Sequence, residues 1–576
     1  MSALVELRVL EGPNLYFPRA AIKLTLDISA LSEAPEETSR RLAERVGLVR
    51  ARVGAPGTGL RQHFATRVVA RLVRAVAREA GTSRLAVRVR TTGDPVRLVV
   101  AYPWRHRGRA EALARAVADV LDGLPEVPVD PAVSTAARRV AGAEPGPGPT
   151  TLTPRVPVVA VTGTNGKTTT SRMIAHIART DGRHVGWSST DGIYVDGVLV
   201  EAGDYSGPSG AGRVLAHSEV ELAVTETARG GILLKGIGVT RNDVSVVTNV
   251  TADHLGLHGI DTVDQLAEVK SVVPRITRRS GWSVLNAEDP RVLAMRSVAG
   301  GRPWLFARNP DAPGLRAGLD EGGRATTVID GWLCVLAPGT DPDPLLPLVD
   351  VPMTMSGLSR FNVENALAAA SAALAVGIPR AVVMEGLRTF LPDATHNPGR
   401  MNLFSLGGVS ILLDLAHNEA GLEAMLEVMA GVRGPGGRLR LALGVVGDRQ
   451  DELITALAEI GARDSDEMVV AHKERFLRGR TVAELDALLT AGAARMGVAA
   501  PETFPTEVAG LAALVERAGQ GDVVGLMCHA ERQAAYDWIA ERGGTPDGPD
   551  ELRAKVLAAR GATGQAGSAG EESVGT

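Results

Sequence analysis

One run of nine residues, V-T-G-T-N-G-K-T-T at 161–169, constrains what this 576-residue chain can fold into more than any other feature. It follows a short apolar run at 156–161 and opens onto a helix-like stretch at 168–180. A Gly-rich turn between a strand and a helix lets successive N–H groups and the helix N-terminus form a positive cradle for phosphate. Gly163 and Gly166 allow close backbone approach. Lys167 is placed to neutralise β- and γ-phosphates, and the Thr168 hydroxyl to reach Mg²⁺. The general pattern G-x-x-x-x-G-K-[ST] asks for Gly at 161, where Val stands, so it fails at that one position.

Around this loop the chain divides. The Pro/Gly-rich stretch 142–154, GAEPGPGPTTLTP, reads as a linker. Before it, strand-like alternation at 5–10, 22–28, 85–89 and 96–101 and helical periodicity at 62–80 and 110–124 predict a small α+β module. After it, buried apolar runs at 156–161, 222–225, 244–249 and 283–286 separated by helical stretches predict a parallel α/β sheet. An Ala-rich helix is expected at 362–376. A third unit from about 397, with apolar runs at 409–413, 439–444, 467–471 and 522–526 and a helix at 419–430, reads as a second open α/β domain. The expected domains are 1–141, a linker at 142–155, 156–396, 397–545, and a helix with a disordered tail at 546–576.

Composition narrows the class. Hydrophobic residues make up 45% and charged residues 22%, as in a globular protein, while aromatics are only 3%, so the cores must be aliphatic. Two cysteines, Cys334 and Cys528, exclude a disulfide framework and fit a reducing cytoplasm. No basic segment followed by an apolar core opens the chain, and no apolar run is long enough for a membrane span. The net charge of −4 hides a split: residues 1–150 carry 23 Lys and Arg against 15 Asp and Glu, the rest 39 against 51. A basic module attracts an acidic partner, although a solvated Arg-rich helix surface explains the same excess. Nothing points to nucleic acid, and self-association into a homo-oligomer is left open.

The version T-G-T-N-G-K-T-T resembles the ATP loop of the Mur ligase family, whose members also lack the first Gly. Further segments match in order: TETARGG (225–231), TNVTADHLGLH (248–258), LNAEDP (285–290), NVEN (362–365), PGR (398–400) and DLAHN (414–418). ETARGGIL (226–233), PGRMNLF (398–404), GDRQDE (447–452) and LEGPNLY (10–16) are similar to the cyanophycin synthetase branch. Members of that branch carry an ATP-grasp domain between the two matching regions, whereas here a short linker joins them. The resemblance implies an α/β fold: a central P-loop parallel-sheet domain and a C-terminal open α/β domain, preceded by a small α+β domain.

It also implies roles. ATP and Mg²⁺ are the expected cofactors. Gly163, Thr164, Asn165, Gly166, Lys167, Thr168, Thr169, Asn362, Arg400 and Asp414 would bind nucleotide. Thr168, Glu226 and His254 would hold metal, and Lys167, Glu226, His254 and Lys270 would serve catalysis, Lys270 as a carbamylated lysine. Asp191, Gly192, Ser206, Gly207, Pro208, His417 and Asn418 are candidates for substrate contact. The reaction implied is ATP-dependent joining of an amino acid such as arginine to a carboxylate or acidic peptide, through an acyl phosphate, releasing ADP and phosphate. The competing reading is a non-catalytic or hydrolysis-coupled ATP-binding regulator. Cys528, beside His529, is expected to be a core cysteine rather than a nucleophile.

Overall fold

The computed structural model describes residues 3–124, 127–253 and 255–559, with the backbone alone for Glu474. Three sheets follow one another along the chain. The first is antiparallel, with neighbouring strands Leu4–Leu10, Ala21–Asp27, Arg97–Pro103 and Arg88–Thr91. One face is covered by helices Gly59–Glu79, Arg107–Asp122 and Val129–Ala141, which share an aliphatic core with Ile22, Leu24, Leu98 and Val100. The third helix and two short ones, Ser29–Glu33 and Glu36–Arg45, were not expected from periodicity. The strand expected at 85–89 begins instead at Arg88. Arg61 is fully buried, and its guanidinium donates to the carbonyls of Leu31, Ala34, Val53 and Gly54. Those bonds satisfy a buried cation without a carboxylate.

The linker is extended but not loose. Arg107 and Gly108 donate to Pro147 and Pro145, and Leu152 donates to Gly238 O and forms a parallel bridge with Val239 of the next unit.

The second sheet has eleven strands. At its centre Val158–Thr162 lies between Asn242–Val247 and Leu222–Glu226, parallel to both. All three strands are buried throughout, which is why they read as continuous apolar runs rather than alternating ones. Thr277–Asn286, Arg302–Phe306, Arg324–Ile329 and Val185–Ser188 extend the parallel part. Both edges end in antiparallel strands: Trp332–Leu336 with Asp343–Pro347, and Gly192–Val195 with Val198–Ala202. None of these four strands was read from the sequence, although Trp332–Leu336, Gly192–Val195 and Val198–Ala202 are largely apolar. Helix Lys167–Thr180 packs on the sheet against the Ala-rich helix Arg360–Ala375, whose Ala366, Ala369, Ala370 and Ala373 are fully buried.

The third sheet runs Thr503–Phe504, Glu467–Ala471, Leu439–Leu443, Val523–Met527, Val409–Asp414, Asn402–Leu406, Thr545–Pro546. Its first five strands are parallel and its last two antiparallel. A helix at 549–559 follows, burying Leu552 and Val556. The expected tail from about 562 lies outside the described residues. Among the described residues no helix is long and apolar enough to cross a membrane.

Candidate active site

The phosphate loop leaves the C-terminal end of the central strand, where open α/β sheets receive ligands. Two glycines are required there. Gly163 has φ +154°, and a Cβ would stand 1.8 Å from Thr248 Oγ1; Gly166 has φ +84°, and a Cβ would meet Asn365 Oδ1 at 2.2 Å. The loop is held from behind: Thr164 N–H donates to Asn249 O at 2.9 Å, Asn165 N–H to Asn249 Oδ1 at 2.9 Å, and Thr248 Oγ1 to Asn165 O at 2.6 Å. Lys167 Nζ donates to Thr164 O at 2.9 Å.

Glu226 ends the neighbouring strand and is 1% exposed. Its Oε2 accepts the Thr168 hydroxyl at 2.9 Å, while Oε1 is buried with no partner among the described residues. Burial raises this carboxyl above its usual range, and Lys167 and the Thr168 bond offset that only in part. A buried carboxylate oxygen without a donor is costly unless something positive meets it. Two oxygens side by side, one of them orphaned, fit a hard cation such as Mg²⁺. Among the described residues no three His, Cys, Asp or Glu side chains form a metal cluster; His254 lies outside them. Lys270 is buried, and its Nζ donates to Gly163 O at 2.6 Å. Burial first, and then the charge of Lys167, push this amine well below its ordinary value.

Opposite the loop stands the third sheet. A cleft of about 700 Å³ is lined by residues 164–169, Asn362, Asn365, Arg400 and 414–417. All the expected nucleotide ligands except Gly163 line it. Asp414 is pushed up to about 6 by burial, countered by Arg400 and by the N–H of Met401 at 2.8 Å. Burial also lowers Arg400. Asn418 Nδ2 donates to Asn165 Oδ1 at 3.0 Å, and Arg449 pairs with Asp253 at 2.7 Å, so both units touch directly across the cleft.

The candidate substrate residues separate into two groups. Asp191 pairs with Arg172 at 2.6 Å and Arg532 at 3.3 Å. Burial would raise it, but these guanidinium groups and Arg400 hold it below the usual range. His417 is half-buried, desolvation lowers it to about 4, and its Nδ1 donates to Leu415 O at 3.0 Å. Ser206 and Pro208 lie elsewhere. The Ser206 hydroxyl donates to Asp204 at 2.7 Å and its carbonyl accepts from Ala228, while Pro208 lines a groove against the N-terminal sheet. Gly192 starts strand Gly192–Val195, next to the sheet edge, and Gly207 precedes helix Pro208–Ala216.

Sequence reasoning missed a buried cluster behind His417. Lys473 and Glu507 are both fully shielded and pair at 3.5 Å. Glu507 also accepts the N–H groups of His529, Ala530 and Glu531 at 2.6, 2.9 and 2.7 Å. Burial lowers Lys473 to about 8, and Lys473 contacts His529 Nδ1. Cys528 is fully buried beside Glu507, and burial drives its thiol upward. That suits a core residue, not a nucleophile. No short motif marks Lys473 or Glu507.

Comparison with known proteins agrees with this layout. The Mur ligase middle domain matches residues 161–373, and the Mur ligase glutamate ligase domain matches residues 399–528. A cyanophycin synthetase of Crocosphaera subtropica is 44% identical over 341 residues, covering 59% of this chain and 38% of that protein. The chain thus spans well under half the length of that curated relative. A UDP-N-acetylmuramyl-tripeptide synthetase of Deinococcus radiodurans is 29% identical over 327 residues, covering 55% of this chain and 62% of that protein. A bifunctional folylpolyglutamate synthase/dihydrofolate synthase solved with Mn, AMPPNP and L-glutamate overlaps 67% of this chain and 89% of its own, with a TM-score of 0.48 and 18% identity. With the middle and glutamate ligase domains both present and in order, the chain belongs to the Mur ligase family.

Proposed function

We propose that this chain is an ATP-dependent acid–amino-acid ligase that works through an acyl phosphate and releases ADP and phosphate. The observation that carries the reading is Glu226: a buried carboxylate bonded to the Thr168 hydroxyl, its second oxygen unpartnered among the described residues, beside Lys167 in a phosphate loop. Thr168 and Glu226 would hold Mg²⁺, which when bound supplies positive charge to the β- and γ-phosphates. A substrate carboxylate attacks the γ-phosphorus of ATP, and the bond to the β-bridging oxygen breaks, leaving ADP. Lys167 offsets charge on the transferring group. An amine then attacks the acyl phosphate carbonyl, loses a proton, and expels phosphate as the amide forms. Arg172, Arg400 and Arg532 around Asp191 supply cations for the carboxylate substrate. Neutral His417 leaves Nε2 free of a proton, a form able to accept one. The lowering of Lys270 by burial favours the neutral amine that carbamylation requires. Closure of the two units over the cleft positions the amine and excludes water.

The resemblance to cyanophycin synthetases supports arginine as the amine and an acidic peptide as the acceptor, and the basic N-terminal module suits such an acceptor. A regulatory role would not require Lys167, Glu226, Arg400 and Asp414 to be retained together. An ADP-release screen with ATP and Mg²⁺, crossing amino acids with acidic peptides, tests the reading. Release that needs both substrates and is lost in Lys167→Ala supports it. Rapid release without any acceptor overturns it in favour of a hydrolysis-coupled protein.

A further inference from the structure

The matched motif at 10–16 lies away from the nucleotide cleft. It forms a turn locked by buried Asn14, whose Nδ2 donates to Gly12 O and Arg19 O at 2.8 and 2.9 Å. Asn14 Oδ1 accepts the N–H groups of Tyr16 and Phe17 at 2.9 and 3.0 Å. On one side the turn is stitched to the chain just after helix Arg229–Leu234. Glu11 N–H donates to Lys235 O and Ile237 N–H to Pro13 O, both at 2.7 Å. A Cβ on Gly12 would stand 1.9 Å from Ile237 O, so the approach needs glycine.

On the other side Tyr16 and Phe17 share an apolar cluster with Leu266 and Val269 of helix Val263–Lys270. The Arg90 guanidinium, on edge strand Arg88–Thr91, lies 5.5 Å from the Tyr16 ring centroid. It donates twice to Glu268, at 2.7 and 2.8 Å, in the two-point geometry that fixes orientation as well as distance.

Helix Val263–Lys270 is eight residues long, too short to hold its own orientation. Its N-terminus is fixed by a capping box between Thr262 and Gln265. Its C-terminal turn is fixed from the N-terminal sheet, through Glu268. Residues two apart do not share a helix face, so Glu268 turns to the N-terminal sheet while Lys270 turns to the phosphate loop. We infer that Arg90, acting through Glu268, is a positioning residue for Lys270, and that the N-terminal module is thereby part of the scaffold of the phosphate site. This rests on the ligase reading. Misplacement of a group near the reacting atoms by about 1 Å can cost on the order of 100-fold in rate.

The pair is 37% and 41% exposed, so its loss leaves the fold intact and the variants can be compared. The test uses the whole chain as Arg90→Glu, as Glu268→Arg, and with both exchanged. Each single variant is expected to lower ADP release at saturating Mg·ATP by about fivefold, with the KM for ATP and the melting temperature unchanged. Deuterium exchange at amides 263–275 should speed up in both single variants. The double exchange should restore rate and protection. Wild-type rate and wild-type exchange in both single variants would overturn the inference. So would losses that track the melting temperature and are not rescued by the double exchange. The exchange readout needs no turnover, so a wild-type chain that released no ADP would sink the ligase reading while the positioning of the helix was still decided.

Discussion

The two walls of the nucleotide cleft are built on opposite principles. The phosphate-loop wall is backbone: two glycines, a strand end and a helix start, with Lys167 bonded to the loop's own Thr164 carbonyl and Glu226 Oε1 without a partner among the described residues. The facing wall is side chain: Arg400 against Asp414, Lys473 against Glu507, and Glu507 against three backbone donors. The first wall leaves charge unsatisfied and so has something to offer a ligand. The second is braced from behind by the Lys473–Glu507 pair and so holds its own shape. Buried ions are tolerated only when paired, and the same chemistry therefore serves recognition on one side and folding on the other.

Substitutions that exchange these roles would break the comparison. Lys167→Ala should reduce ADP release by roughly 10²–10³-fold, the scale of removing one transition-state cation, with the melting temperature unchanged. A marked drop in thermal stability would show the first wall to be structural too. Glu507→Ala should destabilise the fold by about 4 kcal/mol, because it leaves Lys473 and three N–H groups buried without an acceptor; denaturant titration reads this. Unaltered stability would mean that the second wall is not self-supporting.

Asp414 sharpens the point through pH. Its folded pKa of about 6 lies above the ordinary 3.8, so ionisation is disfavoured in the native state. Its contribution is complete below the ordinary value and is lost as pH rises through 6. Relative to Asp414→Asn, the wild type should gain up to about 3 kcal/mol as pH falls from 7 to 4. A difference that stays flat over that range contradicts the burial-driven shift. The smallest effect is expected from Asn418→Ala, which removes the N-cap of helix Glu419–Val432 and the bond to Asn165. A loss of about 1 kcal/mol in stability is the expected scale. A gain would indicate that the direct bond across the cleft is strained.

The contrast also explains what could be read in advance. The central strands at 158, 222 and 242 were legible because strands buried on both faces become continuous apolar runs. Strands Trp332–Leu336 and Val198–Ala202 were not, although both are largely apolar, because a short apolar run does not by itself separate strand from helix. Thr168 and Glu226 stand 58 residues apart in sequence, and the parallel pairing of the strand ahead of the phosphate loop with the strand that ends at Glu226 brings them to 2.9 Å. Lys473, Glu507 and Arg449 carry no local signature at all; a buried ion pair is a property of what surrounds it.

By itself the sequence determined the phosphate loop, the succession of an α+β and two α/β units, and the Mur ligase likeness, because each is written in short-range spacing that backbone geometry enforces. Tertiary structure alone decided that Glu226 keeps one oxygen unpartnered among the described residues, that Asp414 and Lys473 titrate far from their ordinary values, and that the N-terminal turn braces the helix of Lys270. Those properties depend on burial and on neighbours distant in sequence, and desolvation has no counterpart in an unfolded chain.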